Sequence, residues 1–140
     1  MHAGPVHDDP LVEMIERLRT LCLDLPHAYE EPAWVGVRWA VRKRTFAHVL
    51  SIEDGRPPSY AVAARTDGPC PVLTLRASAT DVGAYSNLGD PYFTANWGRG
   101  VIGLKLDGDT DWDEVAEMVT ESYCVMAPKR LAELVLSAQR

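Results

Sequence analysis

A switch of hydrophobic period within residues 92–130 constrains the fold more than any other feature of this chain. The stretch reads YFTANWGRGVIGLKLDGDTDWDEVAEMVTESYCVMAPKR. From Val101 to Leu106 the apolar residues alternate, with Ile102, Leu104 and Leu106 on one side and Val101, Gly103 and Lys105 on the other. That is the period of a half-buried strand. From Trp112 the spacing becomes helical: Trp112, Val115, Ala116, Val119 and Tyr123 share one stripe. Thr110 or Asp111 is placed to cap this helix, with Glu114 completing a capping box. Pro128 suits the first turn of another helix carrying Leu131, Leu134, Val135 and Ala138. Tyr92–Asn96 precedes as a strand, joined through a glycine-rich turn at Trp97-Gly98-Arg99-Gly100.

The same reading covers the remainder. Residues 1–7 form a tail, and Asp8 or Asp9 caps a helix holding Leu11, Ile15, Leu18 and Cys22 on one face. Pro26 ends it, and residues 26–34 read as a loop. Val35, Val37, Trp39 and Val41 alternate with Gly36, Arg38, Ala40 and Arg42, and a second strand follows over 45–52. In that strand His48 falls in phase with Phe46 and Leu50, as a hydrogen-bonded core histidine would. Residues 53–69 carry Asp54-Gly55, Pro57-Pro58 and Gly68-Pro69, which are breakers, around an apolar run at 60–64. Residues 71–76 make a third strand, and Ser78 with Asp81 opens a short helix. The predicted fold is therefore α+β and two-layered. It is a five-stranded antiparallel sheet with helices packed on one face, in the order helix, three strands, helix, two strands, two helices, all in one domain over 1–140.

Several function classes find no support. There is no phosphate-binding loop, no nucleophile elbow, and no glycine fingerprint between a strand and a helix. An EF-hand loop beginning at Asp107 would need Gly sixth and Glu twelfth, where the chain has Trp112 and Met118. His2, His7, His27 and His48 lack ligand spacing, so no metal and no cofactor is expected. Cys22, Cys70 and Cys124 are odd in number and far apart, the usage of a reducing cytoplasm. No run approaches the ~20 apolar residues of a membrane helix, and the opening residues carry no apolar signal segment. The expectation is a cytoplasmic, non-enzymatic protein.

Charge distribution says more than the net value of −6. Residues 1–31 hold two basic and seven acidic side chains, 32–106 nine and five, and 107–140 three and eight. By strand parity Arg38, Arg42, Arg76 and Lys105 share the side opposite the apolar residues. Lys43, Arg44 and Arg99 lie at adjoining turns, with Trp97 beside them. An open basic sheet face of this kind can follow phosphates, and an aromatic adds stacking. These eight residues are the candidate nucleic-acid contacts, with double-stranded DNA as partner. The competing expectation is a module that binds a protein or small ligand in a groove lined by aromatics such as Trp34, Trp39, Tyr92 and Trp97.

Taken in order, the N-terminal helix ending Leu23-Asp24-Leu25-Pro26, Trp97, the strand leading into Asp107-Gly108, Ser122-Tyr123 and Lys129 resemble the MmcQ/YjbR family. The resemblance spans most of the chain. It implies a CyaY-like α+β fold and a sheet surface of the double-wing type, for which DNA binding is the function the family's label suggests. This chain departs from the family pattern after the tryptophan, where it has Gly98-Arg99-Gly100.

Overall fold

The computed structural model describes residues 10–97 and 99–139, and of Arg99 the backbone only. The predicted tail, the Asp8 or Asp9 cap, His2, His7 and the turn residue Gly98 lie outside the described residues. Helix α1 (Pro10–Leu23) leads to strands β1 (Tyr29–Pro32), β2 (Val37–Val41) and β3 (Arg44–Ile52). Helix α2 (Pro58–Ala64), strand β4 (Cys70–Arg76) and helix α3 (Ala79–Ser86) follow. Strands β5 (Tyr92–Trp97) and β6 (Arg99–Lys105) then precede helices α4 (Trp112–Met126) and α5 (Lys129–Ala138). The strands form one antiparallel sheet ordered β1-β2-β3-β4-β6-β5.

The α+β class and the antiparallel pairing stand, but the sheet has six strands where five were expected. The additional strand, β1, lies in the segment 26–34 expected as loop and has the polar sequence Tyr-Glu-Glu-Pro. Edge strands tolerate this composition, since charges and proline discourage pairing with another chain. Both glutamates have partners that fix the edge. Glu30 takes a two-pronged bond from Arg19 of α1 at 2.8 and 2.9 Å and the indole N–H of Trp39 at 3.0 Å. Glu31 pairs at 2.7 Å with Arg38, its cross-strand neighbour.

A second departure concerns the layers. The main core lies between one sheet face and the helices, and joins Leu18, Trp39, Val49, Leu73, Leu104, Val119 and Tyr123. The opposite face is not wholly open. There Leu50, Ile52, Val72 and Phe93 meet Ala61 and Ala64 of α2. The breakers of 53–69 thus flank a short helix that covers part of this face. Pro57 and Pro58 start it, and Arg65 ends it in the left-handed conformation.

Parity along β3 breaks at a bulge. Trp39 pairs with Ala47, whereas Ala40 pairs with Thr45. Phe46 and Ala47 consequently both enter the main core, and His48 moves to the other face, out of phase with Phe46. The last pair of the β3–β4 ladder is Ala47 with Leu75. At the next rung stands the buried hydroxyl of Ser122 from α4. It donates to the Phe46 carbonyl at 2.5 Å and accepts from the Arg76 N–H at 2.8 Å. Beside it the Tyr123 ring meets Phe46 edge-on at 5.4 Å, and its hydroxyl donates to the Pro26 carbonyl at 2.8 Å.

The β2–β3 hairpin turns on Arg42 and Lys43, both left-handed at φ 50° and 68°. The pair of positive φ values belongs to the tight hairpin turn that asparagine-glycine usually supplies, and nonglycine residues adopt it at a cost.

Two stability predictions follow from the bulge and this turn. Ser122→Ala leaves a buried donor and a buried acceptor without partners and should lower unfolding free energy by about 2–4 kcal/mol in urea titration. Replacing Arg42-Lys43 by Asn-Gly should raise it by about 1 kcal/mol; a fall would show that the turn is not strained.

Candidate ligand cleft on the second sheet face

Beyond the part covered by α2, the second sheet face holds a cleft of about 290 Å³. Its floor is β3 and β4, with His48 and Thr74 in one cross-strand row and Thr45 and Arg76 near the next. One wall is the turn 33–36, which carries Trp34. The other walls are Tyr60 from α2 and Trp97 from the end of β5.

Each wall has a local cause. The turn joins Pro32 to Val37 and closes through an Ala33 N–H bond to the Gly36 carbonyl at 3.1 Å. Gly36 sits at φ 78°, and a Cβ there would stand 1.9 Å from the Val49 carbonyl oxygen. Only glycine fits that approach. The turn holds Trp34 clear of the surface, with a relative exposure of 101%, a rare state for so large an apolar group. Tyr60 and Trp97 contact each other with ring centroids 4.7 Å apart.

His48 links these walls from below. Its Nε2 lies 2.6 Å from the Val35 carbonyl oxygen, and its Nδ1 lies 3.2 Å from the Tyr60 hydroxyl. This geometry assigns the neutral ring with the proton on Nε2: it donates to Val35 and accepts from Tyr60. Burial holds the imidazole below its ordinary pKa, and Arg38 acts in the same direction against the Val35 bond. Both ring nitrogens are engaged, so His48 is hydrogen-bonded as expected, though on the opposite face from Phe46.

The described candidate nucleic-acid residues are spread over three places: the cleft, the Lys105 end of the sheet and the β2–β3 hairpin tip. Arg38 and Arg76 line the cleft together with Trp97. Arg38 is already paired with Glu31. Among the described residues, Arg76 makes no ion pair. Lys105 lies toward the other end of the sheet, opposite Val72, where Arg76 is opposite Val101. Its ammonium is 3.0 Å from Asp90 and its side chain only 18% exposed. Arg42, Lys43 and Arg44 form the hairpin tip, at the Arg76 end. The Arg99 side chain lies outside the described residues.

The aromatic list fares similarly. Trp34 and Trp97 enter the cleft. Trp39 is wholly buried, and Tyr92 bonds the Glu114 carboxylate on the far side, an interaction that pushes its hydroxyl up to about 12. Tyr60 was missed; its only signal was an aromatic residue following two prolines in a breaker-rich segment. The acidic turn satisfies itself: Asp107 accepts from the Asp109 N–H at 2.7 Å, and Asp111 caps α4. Among the described residues no group of three or more His, Cys, Asp or Glu is placed to hold a metal. No described helix is long and apolar enough to cross a membrane.

The architecture is shared with solved structures. A Deinococcus radiodurans protein with a DUF419 domain superposes with a TM-score of 0.59 at 17% identity, covering 79% of this chain and 76% of that one. A Pseudomonas syringae protein gives 0.60 at 13% identity, covering 82% and 97%. At these identities the likeness is one of fold. The sequence itself matches the YjbR family model over residues 23–125, and the chain belongs to that family. No curated protein matches it.

The depressed His48 pKa fixes a sign. The unfolded chain takes up a proton near the ordinary value of 6.5, the folded chain only at lower pH, so stability falls as pH drops below that point. The melting temperature should decline between about pH 7 and 5.5, and His48→Gln should flatten that decline. A wild-type melting temperature flat over this range would contradict the assignment.

Proposed function

We propose that this YjbR-family protein is a non-enzymatic binding module for a flat, anionic ligand of nucleotide size, held in the cleft between Trp34, Tyr60 and Trp97. The observation that carries the reading is that Trp34, Tyr60 and Trp97 line one cleft together with Arg76, which among the described residues makes no ion pair. Exposed aromatic faces offer stacking to any ring system, and a guanidinium prefers phosphate or carboxylate. The cleft volume of about 290 Å³ sits at the lower end of the ~300–1,000 Å³ of small-molecule sites, which suits a single ring system with its anionic group outside. Nothing in the cleft offers a nucleophile beside a free base, since His48 has both nitrogens bonded.

Duplex DNA across a bare basic sheet is the weaker reading. It called for Arg38, Arg42, Arg76 and Lys105 on one continuous face. Arg38 and Lys105 each face a carboxylate, and α2 occupies the ground between Arg76 and Lys105.

Calorimetric titration with a purine 5′-mononucleotide should give saturable binding. Trp34→Ala should weaken it by about ten-fold or more, since stacking is worth ~1–3 kcal/mol per base, and Arg76→Gln should act similarly. Absence of heat at millimolar ligand would overturn the proposal, and equal affinity in the Arg76→Gln protein would remove the anion from it.

A further inference from the structure

The Tyr60 hydroxyl can change its role in the cleft. Its oxygen lies 3.2 Å from Nδ1 of His48, whose Nε2 lies 2.6 Å from the Val35 carbonyl oxygen. A carbonyl only accepts, so Nε2 keeps its proton in either charge state of the ring. Nδ1 is then the variable. In the neutral ring it accepts, and the Tyr60 hydrogen is committed to it. In the imidazolium it donates, the tyrosine oxygen accepts through a lone pair, and the hydroxyl hydrogen is free to turn away from the ring. The tie between the 33–36 turn and α2 survives, with one of its two bonds reversed.

The surroundings of the ring oppose the charged state. Arg38 is its cross-strand neighbour on β2, and is itself paired with Glu31 of β1 at 2.7 Å. Arg76 lines the cleft from β4. Tyr60 faces the imidazole from α2, edge-on at 5.9 Å. The 33–36 turn and the cleft residues Thr45, Thr74, Trp97 and Val101 bring no charge. Burial and then Arg38 hold the imidazole below its ordinary pKa, against the Val35 bond. Burial pushes the Tyr60 hydroxyl up and the Arg76 charge acts the other way, so that guanidinium lies close enough to act on the hydroxyl. In the empty cleft an imidazolium would add a third cation to Arg38 and Arg76. The released hydroxyl hydrogen would find no acceptor among the described residues. An anion beside Arg76 removes both objections, because it offsets the charge and accepts the hydrogen.

We propose that the cleft takes up a proton as it binds its anionic ligand: His48 becomes charged, the His48–Tyr60 bond reverses, and the Tyr60 hydroxyl donates to the anion beside Arg76. This rests on the cleft reading above and adds its control by pH. The proton comes from solvent and stays on Nδ1, and no covalent bond of the ligand changes. Linkage fixes the sign. A ligand that raises the proton affinity of His48 is bound more tightly as pH falls. The empty protein behaves in the opposite sense, since its stability declines over the same range.

The test uses the methyl ester of adenosine 5′-monophosphate, which keeps one negative charge throughout, whereas a phosphate monoester itself titrates at about pH 6. Calorimetric titrations from about pH 8 down to about pH 5.5 should show affinity rising by about five-fold or more, the lower end of ordinary coupling between sites. Near the middle of that range the heat should vary with the ionisation enthalpy of the buffer in the sense of proton uptake. In nitrogen–proton spectra of the histidine rings, saturating ester should move the His48 titration to higher pH. Neither readout needs a variant, and a ring that only ties two walls together would produce neither. His48→Gln should remove the pH dependence whatever its affinity in the alkaline range. Tyr60→Phe should remove most of it, because the charged ring loses its acceptor and the anion its donor. Ester affinity that is flat with pH, a His48 titration unmoved by ligand, or an undiminished pH dependence in His48→Gln would overturn the coupling and leave the cleft reading intact. A full pH dependence in Tyr60→Phe would overturn the reversed bond, and the proposal with it. Absence of ester binding at every pH would overturn the coupling, and the cleft reading as well if the purine 5′-monophosphate is also silent.

Discussion

The hydroxyl of Ser122 holds two layers of this protein in register. It stands between the Phe46 carbonyl and the Arg76 N–H, at the rung that β3 and β4 would otherwise close directly. A bulge in β3 opens that rung, and an oxygen from α4 fills it, so no buried backbone group is left without a partner. The consequences reach both faces. Phe46 and Ala47 enter the main core together, and Tyr123 packs against Phe46. On the other face the phase reverses and delivers His48 to the cleft floor, while the backbone of Arg76 is fixed at the cleft rim. The part of the family resemblance carried by Ser122-Tyr123 is thus a packing device that also shapes the site.

The cleft is assembled from segments far apart in sequence. Gly36 lets the 33–36 turn approach β3 and display Trp34. α2 brings Tyr60 down on the sheet, and His48 bonds both the turn and Tyr60. Trp97 arrives from the β5 end of the sheet and meets Tyr60. The imidazole therefore acts as a tie between walls, and its neutral form is the one that suits these two bonds. Charge is arranged with similar economy. Acidic partners neutralise Arg19 and Arg38 at the sheet edge and Lys105 at its other end, whereas Arg76 at the cleft makes no ion pair among the described residues.

Much of the fold was legible because the helices and central strands obey their periods. The strand Val101–Leu106, the α4 stripe and the Ser78 and Asp111 caps needed only local rules. Three things were not legible. β1 is polar because it is an edge, and edge chemistry looks like loop chemistry. α2 is hidden among prolines and is helical because it packs on Leu50 and Val72, a tertiary cause. The β3 bulge depends on Ser122, 76 residues away from Phe46, and no window of sequence contains both. Parity did place Arg38 and Arg76 on the cleft face. It says nothing about the carboxylates that pair with Arg38 and Lys105, Glu31 and Asp90, or about the helix that packs on part of that face.

Tryptophan indole resonances offer the most direct reading of whether this cleft is the binding site. Of the four tryptophans, Trp34 and Trp97 line it, Trp39 is buried in the main core, and Trp112 lies under Arg17 on α4. In a nitrogen–proton correlation spectrum titrated with a purine mononucleotide, the indole signals of Trp34 and Trp97 should move together and saturate, while those of Trp39 and Trp112 stay fixed. Unmoved Trp34 and Trp97 signals, or a shift confined to Trp112, would contradict the account.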